Sequence, residues 1–257
     1  MYYEIIANRF APKRSDLLLE PYSRSHSICY GKCNFNCCFC DFRERPANAY
    51  CTFDDSSFTA AVKELLAKGR NLKFTGGEPT LNPRLEMHLQ IVKDCNGYVY
   101  LDSNGSKPDI LEKLIEKGLI DVLGISLKGI TPNEAMETSQ VKSPKLVWQN
   151  VWETIDMASQ HSDRVRTIVT LVFTEENCHN RLDNFAKLLQ NYPNIYMKIN
   201  NLQCNNHTSS FHIHNLNSDI LLVEIQSYVD ANPLWKGRVI YVPGEEGISD
   251  YNSLYFF

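Results

Sequence analysis

From Asp54 onward the chain alternates two patterns: stretches with apolar residues at helical spacing, and short dense runs of β-branched and aromatic residues. Asp54 to Gly69 opens on Asp and Ser, which cap helix starts, and then places Phe58, Ala61, Val62, Leu65 and Leu66 on one face. The same reasoning predicts helices over Pro83 to Cys95, Pro108 to Lys117, Pro144 to Gln160 and Arg181 to Asn191. Gly118 is placed to stop the second of these. Strands are predicted at Ser27 to Tyr30, Leu72 to Thr75, Tyr98 to Asp102, Asp121 to Leu127, Val165 to Phe173 and Ile195 to Ile199. Regular βα alternation builds a parallel sheet, and right-handed crossovers curl it. The predicted fold is therefore α/β, a partial (β/α)6 TIM-like barrel with short terminal extensions. Tyr2 to Ile6 is expected to add a strand, Ser218 to Asp230 a helix and Val239 to Val242 a last short strand. No linker or fixed-period repeat divides the chain, which is read as one domain over 1–257, with a core of about 27–200 and an extension over 201–257 shaping the substrate side.

Composition narrows the chemistry. The 257 residues are 43% hydrophobic and 22% charged, enough apolar material for a large core and against disorder. A formal net charge of -4 gives no general attraction to nucleic acid or anionic membranes, so nucleic acid is a disfavoured partner. No apolar run approaches the ~20 residues that span a bilayer, and Met1 to Arg14 lacks a signal-peptide layout, so the expected location is cytoplasmic, with no membrane partner. Nine cysteines is an odd number. Four of them, Cys33, Cys37, Cys38 and Cys40, crowd one short segment with Cys29 just before it. Thiols so close cannot all form unstrained disulfides, and the crowding points to metal chemistry in a reducing compartment.

Cys33, Cys37 and Cys40 have C-x3-C-x2-C spacing directly after the first predicted barrel strand, where a barrel enzyme keeps its chemistry. A tight loop of this kind can wrap one face of an iron–sulfur cubane, whose natural ligands are thiolates. Three ligands leave one iron open to chelate a further molecule. Four thiols, with Cys29 as the fourth, would instead suit a structural zinc or an electron-transfer cluster. Cys38 is read as packing. Cys51, Cys95, Cys178 and Cys204 are scattered, as small buried apolar residues would be.

The loop, with Phe39 before its third cysteine, resembles that of the radical S-adenosylmethionine (SAM) superfamily. Thr75-Gly76-Gly77-Glu78-Pro79-Thr80, after the next strand, is similar to the GGEP segment of that family. Its paired glycines permit close backbone approach to a ligand, and its carbonyls suit the ammonium of SAM. Leu101-Asp102-Ser103-Asn104-Gly105 and Ile125-Ser126-Leu127-Lys128 resemble segments of the branch containing the activating enzymes of glycyl radical proteins. That resemblance implies a cation site at Asp102 and Ser103 beside SAM, and Lys128 against SAM's carboxylate. The chain departs from the branch at Ser126, where an acidic residue is common. The resemblance covers Ser27 to Lys128 and implies a [4Fe–4S] cluster held by Cys33, Cys37 and Cys40. It implies SAM held by Phe39, Gly76, Gly77, Glu78, Asp102, Ser103, Asn104, Ser126 and Lys128. The implied activity is reductive cleavage of SAM to a 5′-deoxyadenosyl radical that abstracts hydrogen from a substrate, with an electron donor of flavodoxin or ferredoxin type.

Three functions follow for comparison: an activase acting on a protein glycine; a modifying enzyme for a peptide, nucleoside or small metabolite; and, from another class, a metal-binding or electron-transfer module using Cys29. The aromatic end, Tyr255, Phe256 and Phe257, is expected to dock on the body, and the sharper expectation is that it closes the open side of the barrel near the substrate. His207, His212 and His214 are read as surface residues, and Trp148 and Trp152, one helical turn apart, as core packing.

Overall fold

The computed structural model describes residues 2–8, 25–40, 51–52, 54–68, 71–173, 178–201, 218–242 and 255–257. His207, His212, His214 and the segment 243–254 lie outside the described residues. The strands are β1 (Tyr2–Asn8), β2 (Ser25–Tyr30), β3 (Cys51–Thr52), β4 (Asn71–Gly76), β5 (Tyr98–Ser103), β6 (Val122–Leu127), β7 (Arg166–Phe173), β8 (Ile195–Asn201), β9 (Val239–Val242) and β10 (Tyr255–Phe256). The helices are α1 (Asp55–Lys68), α2 (Leu85–Asp94), α3 (Pro108–Glu116), α4 (Pro132–Ser139), α5 (Asn150–Gln160), α6 (Cys178–Leu189) and α7 (Ser218–Ala231). All ten strands form one open sheet in the order β10-β9-β8-β7-β6-β5-β4-β2-β1-β3.

Strands β2, β4, β5, β6, β7, β8 and β9 are parallel, one more than the six of the expected barrel, because Val239–Val242 pairs with β8 through Met197↔Val239. The expected N-terminal strand is also present, antiparallel to β2. Tyr255 and Phe256 pair antiparallel with β9, and Phe257 packs against the main core, so the aromatic end docks on the sheet edge.

Strand alternation sorts the core into two faces. Val99, Leu101, Leu123, Ile125, Val169 and Met197 pack with helix residues such as Phe58, Leu89, Leu111, Ile155, Phe185 and Ile225. Their neighbours Tyr100, Val122, Ile168 and Ile240, flanked by Tyr98 and Tyr196, form a separate small apolar cluster on the opposite, concave face. With a period of two residues, each strand contributes to both. The concave cluster seals the N-terminal end of the half-barrel, so ligands reach its interior from the C-terminal ends of the strands.

Helix α4 was not foreseen. Among its residues only Ala135 and Ser139 are buried, so no apolar stripe announces it. Its start is nonetheless written as Thr131-Pro132-Asn133-Glu134: the Thr131 hydroxyl accepts from Glu134 N, and proline takes the first turn. The predicted helix from Pro144 begins as a π turn over Lys145–Gln149 before α5. This π turn presents Val147 to a third apolar cluster with Phe35, Cys37 and Ala135, which lies under the cysteine loop. Trp148 and Trp152 are half-buried, pack against the main core and meet edge to face at 5.6 Å.

Candidate active site

The cysteine loop leaves β2 and is fastened at three places. The first is the glycine pair. Gly77 N donates to Tyr30 O at 2.5 Å and Glu78 N to Lys32 O at 2.7 Å. A Cβ on Gly76, where φ is +100°, would meet Tyr30 N at 2.5 Å, and one on Gly77 would meet the Lys32 carbonyl carbon at 2.6 Å. The close approach that these glycines permit is thus to the chain that carries the cysteines.

The second fastening is an amide relay. Asn34 donates through Nδ2 to Ser106 Oγ and accepts at Oδ1 from Asn104 Nδ2, both at 2.8 Å. Asn104 Nδ2 also lies 4.0 Å from Cys33 Sγ, and Phe35 N donates to the same sulfur at 3.4 Å. The third is the end of α4, whose last carbonyls have no partner within the helix. Asn36 N donates to Ser139 O at 2.9 Å and Cys38 N to Thr138 O at 3.0 Å. Gln140, in the left-handed conformation that ends α4, accepts from Asn36 Nδ2 at 2.7 Å. A buried Arg181 forms an ion pair with Glu134, which also accepts from Ile130 N, and so ties α4 to the start of α6 and to the turn after Lys128.

Glu78 is buried and its oxygens collect four donors: Thr80 N at 3.1 Å, Thr80 Oγ1 at 2.6 Å, Ser103 Oγ at 2.9 Å and Asn104 N at 2.6 Å. Burial pushes its carboxyl up, and the donors oppose that shift. The side chain locks the end of β4 to the end of β5 and is saturated by protein groups.

Burial raises the Cys33 and Cys37 thiols, and the Lys128 ammonium works against that rise at both. The same ammonium stands 5.9 Å from the centre of the Phe39 ring, within cation–π range. Lys128 therefore joins the cysteine loop as a fixed positive charge. Cys29 is placed differently: it is buried in β2 among Lys73 and Asp102, and burial drives its thiol up to about 12. Among the described residues no three His, Cys, Asp or Glu side chains converge as the ligands of a single ion do. A cubane does not ask for that, since each thiolate takes its own iron. Cys33, Cys37 and Cys40, on one pinned loop above an apolar bed and beside a cation, fit a cluster that lends one open vertex to a ligand.

Asp102 faces the concave interior. Its Oδ2 is 2.5 Å from Lys73 Nζ, and Thr75 Oγ1 donates to it at 3.5 Å. Burial pushes its carboxyl up, but Lys73 and Lys198 outweigh burial and hold it below the usual range. The charge that the sequence reading assigned to a bound cation is supplied here by a lysine. Ser126 follows on the same face of β6, level with Thr170. The structure thus groups Cys33, Cys37, Cys40, Phe39 and Lys128 at the loop, places Gly76, Gly77, Glu78, Ser103 and Asn104 beneath it, and sets Asp102 and Ser126 inside. Sequence reasoning missed Asn34, Ser106, Lys73 and Lys198. The lysines carried one legible signal, a charged residue at an inward position of a strand otherwise dense in apolar residues.

A sequence profile of the radical SAM superfamily matches residues 27–188. The chain belongs to the radical SAM superfamily. It is an enzyme, and its cofactors are a [4Fe–4S] cluster and SAM. It is 30% identical over 145 residues to an S-adenosylmethionine-dependent nucleotide dehydratase of Thermoplasmatales archaeon ISO4-H5, a match that covers 56% of this chain and 50% of the dehydratase. A protein of Methanocaldococcus jannaschii named as a glycyl-radical enzyme activating enzyme is 24% identical over 191 residues, covering 71% of this chain and 69% of its own. The chain thus spans about half the length of the dehydratase, and less of two other relatives. Among solved structures, SuiB of Streptococcus suis bound to S-adenosylmethionine superposes with a TM-score of 0.63 at 14% identity, covering 84% of this chain and 48% of SuiB. A radical SAM methyltransferase from Sphaerobacter thermophilus gives 0.61 at 14% identity, covering 90% and 70%. These likenesses establish the open half-barrel.

Proposed function

We propose that this radical SAM enzyme acts on a small molecule held in the half-barrel, with Cys33, Cys37 and Cys40 as cluster ligands and Lys128 against the carboxylate of SAM. When bound, the cofactors supply one-electron cleavage of SAM, whose adenosyl fragment takes a hydrogen atom from the substrate. The electron comes from a donor of flavodoxin or ferredoxin class. Asn34, Asn104, Ser106 and the end of α4 hold the cysteine loop in register with the strand ends. Gly76 and Gly77 offer backbone carbonyls for the SAM ammonium, and Phe39 and Ser126 flank the same space. Glu78 and Ser103 act as positioning residues, joining the strand ends that carry these groups.

The observation that carries the small-molecule reading is the polar, charged interior formed by Lys73, Asp102 and Lys198 on three strands. A second reading, activation of a glycyl radical protein, is favoured by the similarity to the M. jannaschii protein, which spans most of both chains. Anaerobic reconstitution with iron and sulfide, then reduction with dithionite in the presence of SAM, tests the common core: 5′-deoxyadenosine forms. Its absence from a protein fully loaded with iron refutes the reading. Formation of a glycyl radical on a co-purified partner, seen by electron paramagnetic resonance, decides for the activase.

A further inference from the structure

We propose that the lysines bordering the cysteine loop, Lys32, Lys107, Lys142 and Lys145, form the docking surface for an acidic one-electron donor protein. The inference rests on the cluster assignment above and holds whichever substrate the enzyme takes.

Charge is spread unevenly along the chain. The cysteine loop follows β2, and it is held by the turn after β5, by Lys128 in the turn after β6, and by the stretch from the end of α4 to the start of α5. These stretches, 25–40, 103–108, 126–133 and 138–150, contain five lysines and no aspartate or glutamate, although the whole chain has 30 acidic residues against 26 lysines and arginines. At their margins Asp102 is held by Lys73 and Glu134 by Arg181, which leaves Asp109 and Glu137 as the exposed carboxylates nearest in sequence. Of the five lysines, Lys128 is engaged at Phe39. The other four are exposed, and among the described residues none of them pairs with a carboxylate.

Each of the four adjoins a residue that grips the loop. Lys32 precedes Cys33, and its carbonyl accepts from Glu78 N. Lys107 follows Ser106, whose Oγ accepts from Asn34 Nδ2. Lys142 follows Val141 and Lys145 precedes Leu146, and both apolar residues pack with Val147 against the cluster of Phe35, Cys37 and Cys40. The loop itself presents Asn36, exposed, uncharged and bonded to the exposed Gln140 at 2.7 Å. The positive charge therefore lies around the thiolates' own loop.

That placement suits electron entry. One electron passes from the reduced donor to the cluster, so the donor is oxidised by one electron as the cluster is reduced by one, and no bond is made or broken. Transfer weakens steeply with distance, which requires the donor to rest against the loop, where Cys33 is exposed and Cys38 and Cys40 are half-buried. Redox encounters of this kind bury little surface and are steered by complementary charge. A positive rim raises the local concentration of an acidic protein, while the net negative remainder of the chain turns it away from other faces. Screening over about 8 Å at physiological ionic strength makes such docking salt-sensitive.

The test uses the cluster-loaded protein and a recombinant flavodoxin of acidic isoelectric point. Binding of the oxidised flavodoxin is read by calorimetry, and reduction of the cluster by its hydroquinone is followed by anaerobic stopped flow without SAM, both at low and high sodium chloride. We expect saturable binding at low salt that weakens as salt rises. In Lys142→Glu/Lys145→Glu, binding and reduction rate at low salt should each fall by about tenfold or more, with an intermediate fall in Lys142→Gln/Lys145→Gln and a similar loss in Lys107→Glu. Lys236→Glu, an exposed lysine beside β9 at the other side of the sheet, is the control and should match wild type. Iron content, thermal midpoint and 5′-deoxyadenosine formation driven by dithionite should be unchanged in the Lys142 and Lys145 variants. Equal binding and equal reduction rates in wild type and the iron-loaded charge-reversed variant, or a wild-type reduction rate indifferent to salt, overturn the proposal. Weaker binding without slower reduction assigns the patch to some other anionic partner and overturns it too. Iron-loaded protein that forms no 5′-deoxyadenosine with dithionite refutes the proposed function, whereas the docking measurements, made without SAM, stand or fall separately.

Discussion

Alanine at Gly77 tests whether the glycine pair exists for the cysteine loop. The added Cβ would meet the Lys32 carbonyl carbon at 2.6 Å, and ordinary contact begins at 3.4 Å. Because the obstacle is backbone, relief takes roughly 1 Å of movement of the chain leading into Cys33. Overpacking of this kind costs about 1–3 kcal/mol. Weakening the two bonds from Gly77 N and Glu78 N to the loop adds about 0.5–1.5 kcal/mol each. The sum, about 2–6 kcal/mol, corresponds to a fall in thermal midpoint of roughly 4–24 °C for a chain of this size. Gly118→Ala is the control for strain without a clash: Gly118, unlike Gly77, is left-handed, with φ +67°, and nothing lies within 4 Å of its Cβ. That variant should lose only about 1–2 kcal/mol of backbone strain. The assays are thermal unfolding of the anaerobic protein and iron per chain after reconstitution. Gly77→Ala should lose stability and iron together, and Gly118→Ala should keep its iron. If Gly77→Ala loads iron fully and melts no lower than Gly118→Ala, the glycine pair does not hold the loop.

Serine at Cys33, Cys37 or Cys40 should abolish the visible absorption of the cluster and most of the bound iron, while Cys29→Ser, in a strand among Lys73 and Asp102, should keep both; iron loss in Cys29→Ser would reinstate a fourth thiol ligand. Glu78→Gln replaces one acceptor oxygen with an NH2 donor facing either Asn104 N, which donates to Oε2, or Thr80 N, which donates to Oε1, and leaving one such buried group unpaired should cost about 1–3 kcal/mol by urea unfolding. His88, buried and bonded to Tyr30 OH at 2.8 Å, is brought by burial from the usual 6.5 to about 4. Its folded pKa lies below the unfolded one, so the unfolded chain binds more protons between those values and stability falls as pH drops from about 6.5 toward 4. Urea midpoints across that range should show the decline in wild type and a shallower one in His88→Leu/Tyr30→Phe, which removes both polar partners; parallel curves would refute the assignment. Glu134→Gln, which leaves the buried Arg181 guanidinium without its carboxylate, should lower both stability and iron retention, the latter because α4 holds the loop; unchanged iron retention would detach α4 from that role.

The sequence by itself determined the order of βα units and the cysteine loop at the end of the first barrel strand, because helix and strand periods and C-x3-C-x2-C spacing are local properties. It also placed the Gly76-Gly77 turn and the strand-end polar residues. Only the tertiary structure decided what those residues touch. Gly77 reads locally as a strand-to-helix turn, and its partner is Lys32, brought beside it by parallel pairing of β2 and β4. Asp102 reads as a ligand at a strand end, yet Lys73 on the neighbouring strand already holds it. Helix α4 is short and almost without buried apolar residues, so periodicity passes over it, although its carbonyls anchor Asn36 and Cys38 from a hundred residues away. Lys73 and Lys198 are 125 positions apart and converge only because the sheet curls its inward positions toward one another, a long-range consequence that no window along the chain contains.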